Sequence, residues 1–437
     1  MSSYPNRGHS ITKSKIVLSA ETIAEIVNGA SFKNTNPVTI GIDAGVSNQE
    51  LNSIAIGRSC GNVDQKTGCV AIGTRAGRIS QKLYSIAIGS DAASNTQGSA
   101  SVAAGFYAGQ EKQGNYSVAI GSYAGNNCQQ ANCIAVGNEA GRSNQGVASI
   151  SIGVRAGREY QDNTCVAIGD SAGEESQKLR AISIGFNAGK VSQHEEAISI
   201  GSEAGSNFQG EDAIAIGDAA GKQSQNDKAI AIGRSAGSDG QALECIAIGQ
   251  EAGFFSQKTN SIAIGTEAGS NAQQNYSVAI GYYAGRIAQK ANCIAIGCNA
   301  GSNTQEDNTI AIGRAAGRIN QQDDSISIGY RAGQTNQQAG AIAIGVNAGC
   351  NTQGTNSICL GVNAGLNTEG DYNISIGQDA GCTADNSIVF NASGSAFNKT
   401  VKGMYIAPGT IKAEALGLGV GVLFYDTTTG ELKVSTS

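Results

Sequence analysis

Two histidines are the residues of this chain best suited to general acid–base chemistry, and neither lies in a catalytic pattern. His9 stands near the N-terminus, and His194 precedes Glu195 and Glu196 in a variable, polar stretch that is typical of a solvated turn. The sequence contains no GxSxG, HExxH or Walker pattern, and its many glycines do not fall in a phosphate-binding context. We therefore expect no enzymatic activity and no bound cofactor.

The 11 cysteines could form disulfides or bind metal, but their spacing argues against both. Five of them stand four residues before a glycine that recurs at every sixteenth position: Cys69, Cys133, Cys165, Cys245 and Cys293. The closest two are two repeats apart, which is about 9–10 Å at a strand spacing of ~4.8 Å and too far for a disulfide. Because Ser and Ala fill this position in most other repeats, we predict small buried thiols, with no disulfide and no metal site.

The recurring glycine belongs to a repeat of the form SIAIG-xx-AG-xxx-Gln. Its 22 copies run from Gly41 to Gly377 without an insertion or a deletion. A period this short and rigid predicts an all-β protein, a parallel β-solenoid with one coil per repeat. At ~4.8 Å per coil, the array would form a rod of roughly 100–110 Å. Residues 37–386 form this array, and Pro is absent from Val38 to Ala407, as expected where every coil pairs with its neighbours.

The strand before each recurring glycine alternates large and small residues. The positions three and one before the glycine are almost always Ile or Val, and those four and two before it are mostly Ala, Ser or Cys. Because a strand alternates faces, we expect the Ile columns to fill the lumen. The small, uncharged face would then be buried against another copy of the chain. This predicts a protomer interface at Ala215, Ala231, Ala263 and Ala311.

An Ala-Gly corner follows the variable turn, and a Gln column follows the corner in 20 of the 22 copies. Glycine is expected where φ is positive or where backbones crowd. The column includes Gln49, Gln65, Gln81, Gln161 and Gln257. These side chains could form an amide ladder along the axis, or each could cap a turn within its own coil. Glu369 and Asp385 replace Gln in the last two coils, as expected where a ladder ends.

Aromatic side chains supply the remaining binding signal. Tyr107, Tyr123, Tyr282, Tyr283 and Tyr330 follow the recurring glycine by one or two positions, in the variable turn that should face solvent. Rings at such positions can stack on sugars or on partner proteins. We therefore regard these tyrosines as candidate ligand contacts.

The composition and the flanking segments exclude several classes of protein. A net charge of −6 without a basic tract does not support nucleic-acid binding. The N-terminal residues show no signal-peptide pattern and no stretch approaches 18 apolar residues, so we expect synthesis in the cytoplasm and no membrane insertion. Residues 1–36 are predicted to cap the first coil or to attach the protein. Residues 387–437 are predicted to form a C-terminal β cap or knob, with a hairpin at Val422–Asp426 and Glu431–Val434.

The pentapeptides SVAIG and SIAIG resemble the head-domain repeat of YadA-like trimeric autotransporter adhesins. They stand at Ser53–Gly57, Ser85–Gly89, Ser117–Gly121, Ser261–Gly265 and Ser277–Gly281. This resemblance implies a left-handed β-roll with three chains around one axis. The period differs, because the repeat of those heads is shorter.

The AG-xxx-Gln half of the repeat is more similar to fibre-like proteins of giant DNA viruses and phages. The tail segments Asn386–Gly394, Gly403–Pro408 and Val422–Val434 also resemble such fibres. The resemblance implies a homotrimeric structural fibre or spike on the virion surface, made in the host cytoplasm and involved in host attachment. Its partners would be capsid or other virion proteins and a host-surface receptor or glycan. The alternative is a cellular trimeric surface adhesin or appendage subunit.

Overall fold

The computed structural model describes residues 37–407 and two further strands at 423–425 and 432–434. These residues contain only strands, turns and irregular segments, and they divide into two compact units between Asn260 and Ser261. Each unit is a stack of parallel coils, and within each unit successive coils pair the same position of successive repeats. The predicted all-β parallel solenoid is therefore confirmed.

Each coil begins with a short strand, termed here the first strand, that contains the middle of the SIAIG sequence. Neighbouring first strands pair in parallel and in register, so that Ile54 lies opposite Val70 and Ala55 opposite Ala71. In the first unit these strands are Val38–Ile40, Ile54–Ile56, Val70–Ile72, Ile86–Ile88, Val102–Ala104, Val118–Ile120, Ile134–Val136, Ile150–Ile152, Val166–Ile168, Ile182–Ile184, Ile198–Ile200, Ile214–Ile216, Ile230–Ile232 and Ile246–Ile248. In the second unit they are Ile262–Ile264, Val278–Ile280, Ile294–Ile296, Ile310–Ile312, Ile326–Ile328, Ile342–Ile344, Ile358–Leu360, Ile374–Gly377, Ile388–Asn391 and Met404–Ile406.

A second strand ends at the Gln of most coils, and its middle residue adopts a positive φ. Ser143 and Gln145 pair with Glu159 and Gln161 of the next coil, while Asn144 between them has a φ of 56°. The second strands of the first unit are Val63–Gln65, Ile79–Gln81, Asn127–Gln129, Ser143–Gln145, Glu159–Gln161, Glu175–Gln177, Val191–Gln193, Asn207–Gln209 and Gln223–Gln225. Those of the second unit are Ile287–Gln289, Asn303–Gln305, Ile319–Gln321, Thr335–Gln337, Ala380–Cys382 and Phe397–Lys399.

The small residues of the first strand, and not the isoleucines, fill the interior of the coil. Ala215, Ala231, Ala263 and Ala311 have no exposed surface within the single chain. The isoleucines point outward, and Ile216 keeps 36% of its surface exposed. The prediction that Ile fills the lumen is wrong, and so is the protomer interface predicted at these four alanines, because a side chain enclosed by its own coil cannot contact a partner.

The width of the coil explains this reversal. Ala55 on the first strand belongs to one buried cluster with Cys60 and Ala76, which stand at the corners of its own and the next coil. A β-carbon added at Gly61 would lie 3.1 Å from the Ala55 β-carbon and 2.7 Å from the Oε1 of Gln65. Because the interior is filled by these small groups and the Gln side chain, an isoleucine does not fit there.

Both glycine columns are required by geometry, as the sequence predicted. Gly73, a recurring glycine, has a φ of 131°, and a β-carbon there would lie 2.5 Å from the carbonyl oxygen of Gly89 in the next coil. The corner glycine Gly77 has a φ of 52° and faces the Gln81 side chain. A side chain at either position would meet both backbone strain and a steric clash.

The parallel stack continues past Asp385, where the repeat motif ends. Ile374 pairs with Ile388, so this coil is two residues shorter than those before it. Ile388 pairs in turn with Met404, which restores the usual period. Coil geometry therefore persists through residues 387–407. The predicted C-terminal hairpin is confirmed, because Leu423–Tyr425 and Leu432–Val434 pair antiparallel. The N-terminal cap predicted at residues 1–36 lies outside the described residues.

Candidate functional site

The Gln column forms a hydrogen-bonded ladder inside the coils. The Nε2 of Gln65 donates to the Oε1 of Gln81 at 3.0 Å, and Gln49, one coil earlier, donates to Gln65 at 2.8 Å. The same Nε2 of Gln65 also donates to the carbonyl oxygen of Ile54 in its own coil at 2.9 Å. Both predicted roles therefore hold at once, because a primary amide has two N–H donors.

The ladder includes the other predicted members. Gln161 donates to Gln177 at 2.9 Å, and Gln257 accepts from Gln241 at 3.2 Å. These side chains are at most 1% exposed, so the chain buries a row of polar groups and satisfies them with one another. These amides all donate in the same direction along the stack, which lets successive bonds strengthen each other.

Serines at the small position of the first strand join this network, a link that the sequence analysis missed. Ser151 links Gln145 to Gln161. Its Oγ accepts a hydrogen bond from the Gln145 Nε2 at 3.2 Å and donates one to the Gln161 Oε1 at 2.9 Å. The spacing of ten positions between Ser151 and Gln161 recurs at the bonded pair Ser183 and Gln193. The sequence signal that could have predicted this link is a Ser ten positions before a Gln of the column.

Glu369 occupies the position of the Gln column that follows Gln353, whereas Asp385 lies outside the column. Glu369 is 3% exposed and accepts hydrogen bonds from the Ser375 hydroxyl and from the Cys382 backbone N–H, the latter at 3.2 Å. Burial raises the pKa of Glu369 to about 7. Asp385 is exposed, because the shortened coil places Cys382 at the ladder position, where its carbonyl accepts from Gly370.

The column cysteines are buried, as predicted, but they lie inside their own coils and not against another copy of the chain. Cys165 is fully buried, and its thiol approaches the carbonyl oxygen of Lys178 at 2.8 Å. Burial raises the pKa of this thiol to about 12, so the reactive thiolate form is suppressed. His194 is exposed directly after Gln193, whereas His9 lies outside the described residues.

The outward isoleucines form an apolar surface on each unit, termed here the Ile face. It consists of the residues three and one before each recurring glycine, and none of these positions carries a charge. Several stay strongly exposed, among them Ile40 at 50%, Ile120 at 43% and Leu360 at 42%. Contiguous exposed apolar surface is a common feature of protein interaction sites.

The structure brings Tyr107 and Tyr123 together in neighbouring coils of the first unit. Their ring centroids lie 5.2 Å apart in a stacked arrangement, and Phe106 packs edge-on against both rings. The guanidinium of Arg142 lies 5.6 Å from the Tyr123 ring centroid. We term these four residues the first aromatic cluster. Phe106 and Arg142 were not among the predicted contacts.

Tyr282 and Tyr283 form a second aromatic cluster with Arg286, in the second unit. The two ring centroids are 3.9 Å apart, and the Arg286 guanidinium lies 4.5 Å from the Tyr283 centroid while pairing with Glu267 at 2.8 Å. A hydrogen bond between the two phenols raises the pKa of Tyr283 to about 12. Tyr330 does not belong to this cluster, and the guanidiniums of Arg314 and Arg331 lie 5.6 Å and 5.2 Å from its ring centroid.

Comparison with protein-family models, with curated proteins and with solved structures finds no match for this chain. Within the part of the chain that the structure describes, no group of His, Cys, Asp and Glu side chains is arranged to hold a metal ion. No helix long and apolar enough to cross a membrane occurs among those same residues.

Proposed function

We propose that this chain is a structural subunit of a virion surface fibre or spike, a homotrimer whose protomers associate through the Ile face. The observation that carries the proposal is an uncharged double column of half-buried to exposed Ile and Val along each stack of coils. The role is architectural, since the interior is filled by small side chains and a satisfied amide ladder. Host attachment would then depend on the outward-facing turns.

The energetics favour association through this surface. Burying the exposed part of one such isoleucine contributes on the order of 1 kcal/mol, from ~25 cal/mol per Å² of apolar surface. Association costs roughly 4–15 kcal/mol in translational and rotational freedom. The described residues of the first unit alone, 37–260, contain fourteen first strands, nearly all with two outward apolar residues, so a partner need cover only part of the face.

The spacing of the columns favours another copy of this chain as the occupant. Each column presents one side chain per coil, at a repeat of ~4.8 Å. A partner that meets every coil must carry the same spacing, and an identical stack does so by construction. The number three comes from the resemblance of the pentapeptides to trimeric adhesin heads.

The virion location is supported by the resemblance of the AG-xxx-Gln half-repeat and of the tail segments to viral fibres. The pentapeptide favours the second candidate, a cellular trimeric surface adhesin or appendage subunit. Antibody labelling of purified virions and of cell surfaces, viewed by electron microscopy, separates the two. We expect label on structures that project from the virion, whereas label confined to cell surfaces would support the adhesin.

A further inference from the structure

The second aromatic cluster borders a hollow of about 290 Å³. Tyr283 and Arg286 line one side, and Arg318, two coils further along the stack, lines the other. Ile287 and Ile319 supply apolar surface, and Asn303 supplies an amide between the two arginines. This volume is close to the lower end of the range for small-molecule pockets, about 300 Å³, and suits one or two sugar rings.

The two arginines of the hollow differ in their partners. Arg286 is held by the Glu267 carboxylate and by the face of Tyr283. Arg318 is exposed, and among the described residues its guanidinium forms no ion pair. The hollow therefore offers a fixed aromatic wall on one side and a free planar cation on the other. A guanidinium of this kind binds carboxylates through two parallel hydrogen bonds.

The hollow lies away from the proposed protomer contact. Its lining residues come from the variable turn, from the position after the corner and from the second strand, two to six positions after the recurring glycine, whereas the Ile face comes from the first strand. Association through the Ile face would therefore leave the hollow open to solvent.

We propose that this hollow binds a carboxylated sugar, such as a sialic acid or a uronic acid, as the terminal unit of a glycan. The carboxylate would pair with Arg318, the hydroxyls would bond to Asn303, and the C–H face would rest on Ile287 and the Tyr283 ring. The inference rests on the proposed attachment role, for which it names the ligand class.

The first aromatic cluster provides a matched control. It also combines stacked tyrosines with an arginine, but Arg142 lies 3.6 Å from the Glu139 carboxylate. Because that acid neutralises its cation, the first cluster should not select a negatively charged sugar.

The test is a titration of the full-length protein with 3′-sialyllactose and with glucuronic acid, monitored by NMR of the ligand, with lactose as the neutral probe. We expect binding of at least one acidic probe, at least tenfold weakening by Arg318→Ala, and partial recovery by Arg318→Lys. Tyr283→Ala should also weaken binding, whereas Tyr123→Ala should not.

Three results would overturn the inference: no binding of either acidic probe, equal binding of lactose, or unchanged affinity in Arg318→Ala. Oligomer mass, measured on the same samples, distinguishes this failure from failure of the proposed function. A trimer that ignores acidic sugars contradicts only the inference, and a monomer contradicts the fibre.

Discussion

The inner and outer faces of the first strand differ most in the space that each side chain can occupy. On the inner face, Ala215 and Ser199 are fully buried against the opposite corner of the coil. On the outer face, Ile200 and Ile216 each keep 36% of their surface exposed and meet no opposing wall within their coil. In a coil this narrow, volume decides which residues form the core, and the more hydrophobic face is left for a partner.

The largest effect should come from enlarging an inner residue. Ala215→Leu adds three carbons where even a β-carbon at Gly221 would lie 3.3 Å from the Ala215 β-carbon. We expect destabilisation of at least about 3 kcal/mol, or failure to fold, because overpacking a filled core forces the backbone apart. Thermal unfolding followed by circular dichroism measures this loss.

The control is Ile216→Leu, the next residue on the outer face, which should cost less than about 1.5 kcal/mol. Equal melting temperatures for the two variants would contradict the assignment of the faces.

A buried acid provides a second test of the difference between the interior and the exterior of the coil. Glu369 is the one residue that replaces Gln in the column and remains inside the coil. Its pKa is raised by burial from 4.5 to about 7, so the folded state holds the proton more tightly than the unfolded state does. The stabilisation is complete below pH 4.5 and is lost as the pH rises towards 7, by about 3 kcal/mol at ~1.36 kcal/mol per unit.

Glu369→Gln should abolish this pH dependence and extend the amide ladder. Hydrogen exchange of the backbone around residues 369–382, corrected for intrinsic rates, should show protection that falls between pH 5 and pH 8 only in the wild type. Glu306→Gln, a change at a half-buried acid of the same unit, should leave the fall unchanged. A wild type with equal protection at both values would contradict the buried carboxyl.

A smaller effect is expected from removing one rung of the ladder. Gln193 accepts from Gln177 and donates to Gln209, both at 3.1 Å, and it also donates to the Ile182 carbonyl oxygen at 2.9 Å. Gln193→Leu removes these hydrogen bonds from buried groups, which should cost about 2 kcal/mol. Denaturant unfolding of this variant and of Gln223→Leu, a change at an exposed position, provides the comparison. Similar losses in both would show that the ladder contributes nothing specific.

The sequence period predicted much of the fold, but it did not predict which face of the first strand is buried. A fixed repeat without insertions determines parallel pairing in register, so that each column of identical residues could be predicted. Alternation separates two faces but does not say which one is enclosed, because that depends on how wide the coil is. The Ala-Gly corner and the Gln column indicate which face is enclosed. A coil whose interior already holds the Gln side chain and a corner of two small residues has no room for Ile.

The last coils and the two aromatic clusters depend on local geometry that the repeat does not encode. Asp385 left the Gln column because its coil is two residues shorter, a change visible only once the pairing of Ile388 with Ile374 is known. The tyrosines of the two clusters were predicted as single candidate contacts, but their pairing was not predicted. Their arginine partners Arg142 and Arg286 were missed, because contacts between turns of successive coils depend on side-chain direction.

The Ile face is proposed to join copies of the chain, and sedimentation equilibrium of one pair of variants tests this contact directly. Ile200→Lys with Ile216→Lys places two charges on that face in every protomer. Asn207→Lys with Gln223→Lys adds the same charge to the second strands of the same coils. We predict a trimeric mass for the wild type and for the second variant, and a folded protein of lower mass for the first. A wild type that sediments as a monomer, or a first variant with the wild-type mass, would contradict the account.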